Sequence, residues 1–513
     1  MNDANPSTVA ETREPDATAS RLLSLVRRVA DELRPQAQLG ATLGFDDSLE
    51  RGYGLDSLAR VELIGRIERD FGVTLGEAAL TDAETVRDLL RLIERAAQRG
   101  PAGEPPSVPP GGPRNPPAAS HEAAAPRAAQ AAPEHPPESL TTLVDVFAWH
   151  LQRHPERVLF TLLEDGGPPS ELSYGGLHAE AAALAAGLQS HGLAAGDKVA
   201  IMLPTGREFF VAFFGALLAG LVPVPLYPPA RPSQLEDHLK RITGILRNAQ
   251  ARFLLTVARA KPLAQLLRAQ AETLQAVDTV DDVRSRDAAW VQPAIQASDT
   301  AFLQYTSGST GDPKGVVLTH GELLANLRAM HRATGVHGAD VFVSWLPLYH
   351  DMGLIGACLG ALVLGFHTVL MSPLAFLARP VRWLHTIQRY RGTVSAAPNF
   401  AYELCLAKVS DADLDGLDLS SWRLAFNGAE PVSPDTLERF AQRFARCGFD
   451  RRALTPVYGL AENAVGLTFP PPGRGPLIDR IARAALARDG LATPAPPDDV
   501  QPLRVVSCGR VLP

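Results

Sequence analysis

Leu303 to His320 reads LQYTSGSTGDPKGVVLTH, and the reading of this stretch decides the fold. The apolar run Ala301 to Leu303 predicts the end of a buried strand. A Ser, Thr and Gly loop follows, then Lys314 and a second apolar run, Val316 to Leu318. Such a loop suits phosphate. Gly308, Gly311 and Gly315 let backbone N–H groups approach an anion closely, Thr306, Ser307, Ser309 and Thr310 add hydroxyl donors, and Lys314 adds a full positive charge. A Walker A loop has a second glycine directly before its lysine and Ser or Thr directly after it. Lys314 instead stands between Pro313 and Gly315, and no dinucleotide fingerprint fits either. A short Ser/Gly run taken alone reads first as a solvated surface turn.

The 513 residues leave room for several domains. A formal net charge of −7 gives no basis for expecting nucleic acid as a partner. Cys358, Cys405, Cys447 and Cys508 are far apart and form no CxxC, which argues against a disulfide framework or a zinc site and for the cytoplasm. The first residues lack the basic and apolar segments of a signal peptide. Two apolar stretches, Phe209 to Leu226 and Gly353 to Phe366, resemble membrane spans superficially. Pro223 and Pro225 interrupt the first, and the second falls short of the roughly 20 residues a span needs. Both are read as buried helices leading into strands, so no membrane span is expected.

Residues 1–19 read as a disordered polar tail. From Arg21 to Arg34, Leu22, Val26, Val29 and Leu33 recur at helical spacing, and Leu58, Val61, Ile64, Ile67 and Phe71 do so again, with Asp56 and Ser57 at that helix's start. A further helix is expected to open at Thr81, with Glu84 completing a capping box and Val86, Leu89, Leu90 and Ile93 turned inward. These segments predict an all-α four-helix bundle over residues 20–98. Ser57 by itself is an ordinary helix cap. Gly54-Leu55-Asp56-Ser57-Leu58 at a helix start, however, resembles an acyl carrier protein. The resemblance implies 4′-phosphopantetheine on Ser57, installed by a phosphopantetheinyl transferase; a phosphodiester there would sit at the positive end of a helix dipole. Residues 99–138, more than half Pro and Ala from Pro101 onward, read as a linker reaching about 35 Å as a coil or about 100 Å fully extended.

From residue 139 to 513 helix and strand patterns alternate. Leu177, Ala181, Leu184 and Leu188 mark a helix, Val199, Ile201 and Leu203 a strand, Glu208 to Ala219 a helix and Leu221 to Leu226 a strand. Thr319 with Glu322 forms another capping box, and Ser433-Pro434 opens a further helix. Repeated β-α-β units predict a large α/β domain with parallel sheets, in which ligands bind beyond the carboxyl ends of strands, where the opening stretch is expected to lie.

Four more motifs are expected in loops after strands: SWLPLYHDMGLIG at Ser344 to Gly356, SAAPNF at Ser395 to Phe400, NGAEP at Asn427 to Pro431, and YGLAEN at Tyr458 to Asn463. With TSGSTGDPKG ahead of them, this set resembles the adenylate-forming superfamily, and SWLPLYHDMGLIG and YGLAEN are similar to its fatty acyl-AMP ligases. Ala461 stands where many relatives have threonine, and Pro470 to Val505 is the stretch expected to hold the insertion typical of those ligases.

The resemblance implies attack of a long-chain fatty carboxylate on the α-phosphorus of ATP, then transfer of the acyl group to a phosphopantetheine thiol within a lipid, polyketide or lipopeptide synthase. It implies that Thr306, Ser307, Gly308, Ser309, Thr310, Gly311 and Lys314 hold the β- and γ-phosphates. Glu462 would hold Mg²⁺. Gly428, Ala429, Glu430, Tyr458 and Gly459 would line the adenine, and His350 would stand beside the acyl carboxylate. Lys314, His350 and Glu462 are thus the catalytic candidates, and Gly353 to Phe366 a wall of the acyl tunnel. Read without the resemblance, His350 is a core or capping histidine, Glu430 a helix-cap partner, Glu462 a solvated carboxylate and Tyr458 a core aromatic. Ser507 to Pro513 precedes the position at which the family continues into a C-terminal subdomain, so the chain is expected to be part of a longer synthase with downstream carrier or synthase domains, or inactive alone. A non-catalytic carrier and docking fragment and an acyl-CoA ligase are the alternative functions.

Overall fold

The structure, a computed structural model, describes residues 17–33, 44–49, 53, 63–64, 66–67, 70–71, 73, 75, 83–98, 135–164, 167–228, 235–285, 290–306 and 314–513. The chain divides into two compact units, one formed by residues 1–116 with 229–235 and the other by the remainder.

In the first unit the helices Ala17–Leu33 and Val86–Gln98 pack together. Leu22, Leu25, Val26 and Val29 of one, and Val86, Leu89 and Ile93 of the other, are buried, as are Leu63, Ile64 and Ile67 at helical positions between them. The expected start at Thr81 is corrected. Thr81 lies outside the described residues, and the helix begins at Val86 with a capping box one turn later: Asp88 N–H donates to Thr85 Oγ1 at 3.2 Å while Asp88 Oδ2 accepts from Thr85 N–H at 3.0 Å. Two Thr-x-x-acid spacings overlap here, and the one directly preceding the apolar stripe prevails. The Gly54–Leu58 motif with Ser57, and residues 101–134 of the linker, lie outside the described residues.

The strands of the second unit are, in chain order, β1 Val158–Leu163, β2 Ser170–Ser173, β3 Lys198–Met202, β4 Val222–Pro225, β5 Ala251–Thr256, β6 Ala276–Asp278, β7 Thr300–Thr306, β8 Lys314–Thr319 and β9 Val341–Ser344. They continue with β10 His367–Met371, β11 Val394–Ala397, β12 Leu424–Asn427, β13 Leu454–Pro456, β14 Thr468–Phe469, β15 Ile478–Ile481, β16 Leu503–Val506 and β17 Arg510–Val511. Seven of them form a sheet in the order β13-β12-β11-β9-β10-β1-β2, parallel except where β2 pairs with β1. A second sheet, β4-β3-β5-β6, is wholly parallel. Parallel sheets need both faces covered, which accounts for the strongly apolar helices between strands. Phe209, Phe210, Phe213 and Phe214 of the helix Arg207–Leu218 are all buried. Pro223 and Pro225 are tolerated because β4 is an edge strand of its sheet. No helix among the described residues is long and apolar enough to cross a membrane.

Two placements differ from expectation. The phosphate-loop stretch does not follow a strand of either parallel sheet: β7 and β8 form a separate antiparallel ribbon, with Thr306 opposite Lys314. Residues 307–313 between them lie outside the described residues. The SAAPNF motif does not follow its strand but begins within it, since β11 already includes Ser395 to Ala397. Between Pro470 and Val505, β15 and β16 make an antiparallel pair flanking the helix Arg483–Asp489. Arg504 of β16 donates to Asp435 and Glu438 of the helix Pro434–Phe444 at 2.6 Å each, fastening this excursion to the body.

Candidate functional site

Strands β9, β11, β12 and β13 run parallel and end at Ser344, Ala397, Asn427 and Pro456, so the loops that follow them emerge on one edge of the large sheet. That edge is where open α/β sheets bind ligands. After β9 the chain turns through Trp345 to His350, its first turn held by the Leu346 N–H on Ser344 Oγ at 3.1 Å. The carbonyl of Tyr349 accepts from the buried Gln304 Nε2 at 2.7 Å, which ties this loop to β7. His350 Nδ1 lies 2.7 Å from Asp351 Oδ1, and half of the imidazole is exposed. Nδ1 also accepts the Met352 N–H at 3.3 Å, so this side of the ring is engaged by the fold and Nε2 is left for whatever enters from solvent.

Beyond His350 the chain forms a π-helix, Met352–Leu359, that runs into an α-helix, Gly360–Leu364, both largely buried. The wide helix starts hard against the preceding turn: a Cβ at Gly353 would lie 2.3 Å from the carbonyl oxygen of Pro347.

The loop after β12 holds Ala429 at φ +68°, in the region that favours glycine. Asn427 beneath it is fully buried, and its Oδ1 has no partner. Glu430 Oε1 accepts the Phe400 N–H at 2.5 Å, at the first turn of the helix Asn399–Lys408. The carboxylate thus serves as a helix-cap partner. After β13, Tyr458 is 54% exposed although its backbone pairs with Thr468. Gly459 admits no side chain, since a Cβ there would lie 1.6 Å from the Val465 carbonyl oxygen. Ala464 and Val465 follow at φ +50° and +83°, and Asn326 braces this strained return by hydrogen bonds of 2.8 and 3.0 Å to the backbone of Gly466.

These elements enclose a cavity of about 230 Å³. His350, Ala429, Tyr458 and Gly459 stand on its wall. The rest is mainly apolar, contributed by Leu327 and Met330 of the helix His320–Thr334, by Met352, Gly356 and Gly360, and by the stacked rings of Phe342 and Phe366. Four of the predicted residues are therefore brought together. Thr306, Lys314, Gly428, Glu430 and Glu462 do not line the cavity. Lys314 and Glu462 are nevertheless related, because β8 packs against the 3-10 turn Ala461–Asn463. Both side chains are exposed, and among the described residues neither makes a hydrogen bond or ion pair. An exposed ammonium and an exposed carboxylate on two packed elements have the chemistry to hold phosphate and a divalent cation. Ser307, Gly308, Ser309, Thr310, Gly311 and Ser57 lie outside the described residues.

Gln304, Asn326 and Gly356 were not singled out from sequence. Gln304 was the one polar residue in the run Ala301 to Tyr305 and Asn326 the one between Leu323 and Leu327, which was the available signal.

Comparison with known proteins gives the family. Residues 147–488 match the family described as AMP-binding enzyme, and residues 21–93 match the phosphopantetheine attachment site. The chain is 37% identical over 377 residues to the medium-chain-fatty-acid–[acyl-carrier-protein] ligase JamA of Moorena producens, covering 72% of this chain and 63% of that protein. It is 38% identical over 343 residues to the long-chain-fatty-acid–AMP ligase FadD23 of Mycobacterium tuberculosis, covering 63% of this chain and 57% of the relative. Among solved structures, the fatty acyl-adenylate ligase of L. pneumophila in complex with acyl adenylate and pyrophosphate superposes with a TM-score of 0.67 at 35% identity, over 74% of this chain and 65% of that one. The chain belongs to the adenylate-forming, AMP-binding enzymes, and its N-terminal part carries a phosphopantetheine attachment domain. It spans less than two thirds of the length of these curated relatives.

Proposed function

We propose that the second unit activates a fatty acid with ATP, giving acyl-adenylate and pyrophosphate, and that the acyl group passes to a phosphopantetheine thiol carried on Ser57 or on a downstream carrier. The observation that carries this reading is the apolar cavity with His350, Ala429, Tyr458 and Gly459 on its wall, at the strand ends where a nucleotide would lie. An acid bound there has its tail out of water and its carboxylate near His350.

In the reaction a carboxylate oxygen bonds to the α-phosphorus, and the bond from that phosphorus to the bridging oxygen breaks, the electron pair leaving with pyrophosphate. Two anions must meet, so alignment and charge neutralisation dominate the catalysis. In this reading His350, its Nδ1 engaged by the Met352 N–H beside Asp351, orients the carboxylate beside the α-phosphate. Thr306 to Gly311 and Lys314 hold the β- and γ-phosphates. The exposed Tyr458 ring stacks on adenine beside Gly428, Ala429 and Gly459, while Glu430 acts from behind, through its hold on Phe400. Glu462 would hold Mg²⁺, which would supply positive charge to the phosphates. A thiolate then attacks the acyl carbon of the mixed anhydride with little further activation, and the thioester forms as the bond from that carbon to the phosphate oxygen breaks and AMP leaves with the electron pair. A phosphopantetheinyl transferase, a cytoplasmic setting and partner synthase domains belong to the same reading, and medium- and long-chain acids are both admitted by it.

The test is to incubate the chain with ATP, Mg²⁺ and a panel of fatty and amino acids, with and without CoA, and to analyse products by mass spectrometry. The expected result is acyl-AMP from fatty acids alone and no acyl-CoA. In the same assay a transferase should add phosphopantetheine to the chain and not to Ser57→Ala. Adenylates from amino acids, or acyl-CoA as the product, would contradict the reading.

A further inference from the structure

The segment from Met352 to Leu364 contains three glycines; the fold leaves no room for a side chain at one of them and little at a second. A Cβ at Gly353 would lie 2.3 Å from the Pro347 carbonyl oxygen, and one at Gly360 would lie 3.3 Å from the Phe366 ring. At Gly356 a Cβ would meet nothing within 4 Å, although its neighbours Ile355 and Ala357 are fully buried. Its φ is not positive, so no turn demands glycine there. Glycine inside a helix is destabilising relative to alanine, because it loses more backbone freedom on folding and contributes no contact. At position 356 nothing in the fold compensates that loss. The open space beside Gly356 is the apolar cavity whose wall it forms, between His350 and Leu364 along the same segment.

We propose that Gly356 is the position that keeps this cavity open for the tail of a long acid, and that a side chain there cuts the cavity short and turns the preference toward short acids. This rests on the acid-activation reading above. It assigns selectivity for acid length to a single residue of the π-helix.

The test uses N-acylsulfamoyl adenosines, stable mimics of an acyl-adenylate, carrying hexanoyl, dodecanoyl or palmitoyl groups. Their binding to the whole chain is measured by calorimetry, independently of turnover. The unmodified chain should bind the dodecanoyl and palmitoyl compounds more tightly than the hexanoyl one. Gly356→Leu should raise the ratio of palmitoyl to hexanoyl Kd by on the order of tenfold or more, because several methylenes lose their burial. Gly356→Ala should move the ratio in the same direction by less, with a higher Tm, since alanine is the better helix former and meets no neighbour; this variant keeps the test valid if leucine prevents folding. An unchanged ratio in Gly356→Ala and in a folded Gly356→Leu overturns the proposal alone. Failure of the unmodified chain to bind any of the compounds overturns the activation reading and the proposal together.

Discussion

At the scale of single residues, exposure and the lack of a partner distinguish groups awaiting a ligand from groups already employed in the fold. Glu430 and Glu462 are both exposed carboxylates in motif loops, yet Glu430 already holds the Phe400 N–H while Glu462 holds nothing among the described residues. Removing the charge of Glu462 should therefore leave the fold intact and act on chemistry alone. Glu462→Gln is expected to lower the rate of adenylate formation at least about a hundredfold, the scale of losing one group that stabilises transition-state charge, with an unchanged Tm. Pyrophosphate release against thermal unfolding checks this, and a retained rate would remove Glu462 from its assigned role. The sequence offered Glu430 as a helix-cap partner and Glu462 as a solvated carboxylate only as alternatives to nucleotide-binding roles, because the partner of Glu430 is 30 residues away and becomes a neighbour only after β11 and β12 pair.

At the scale of elements, buried histidines make the second unit sensitive to acid. His320, at the start of its helix, is buried, and its Nδ1 accepts the Leu143 N–H at 3.2 Å, capping the helix Leu143–Arg153 across 177 residues of sequence. Burial pushes its pKa down to about 4, against the opposing influence of Asp299 and Asp145. Burial likewise lowers His238 to about 4 and His150 to about 3. The neutral forms are favoured by folding, so the stability they carry is complete above pH 6.5, falls as pH drops toward each lowered value, and is constant below it. For His320 alone the loss at pH 5 is on the order of 2 kcal/mol. His320→Asn retains an acceptor for Leu143 and cannot titrate, so its denaturation midpoint should fall less than that of the unmodified chain between pH 7 and pH 5; an identical fall would contradict this account. Elements whose signals are local were read correctly from sequence: the Thr319 and Glu322 box, the Ser433 cap and the alternating helices and strands. The π-helix was not, since Leu354, Ile355, Cys358 and Leu359 are all buried and leave no periodicity to read. Antiparallel pairing of β7 with β8 was missed for a related reason, as two apolar runs flanking a Gly-rich loop suit either a hairpin or a strand-to-helix turn.

At the scale of the whole molecule, the chain joins a phosphopantetheine attachment domain to an adenylate-forming one, and the central claim is that the cavity between His350 and the rings of Phe342 and Phe366 holds the acyl tail. The chemical motifs made the family legible because each clusters several reactive residue types in a few positions. The cavity itself was only anticipated as a wall along Gly353 to Phe366, since its other side comes from a helix that begins at His320 and from loops beyond Gly428. A crystal structure of the chain with a dodecanoyl sulfamoyl adenosine is the most direct measurement. The account predicts the adenine against the Tyr458 ring and the dodecanoyl tail passing Gly356 between the helix His320–Thr334 and the π-helix. A tail lying outside that cavity, or an adenine away from Tyr458, would contradict it.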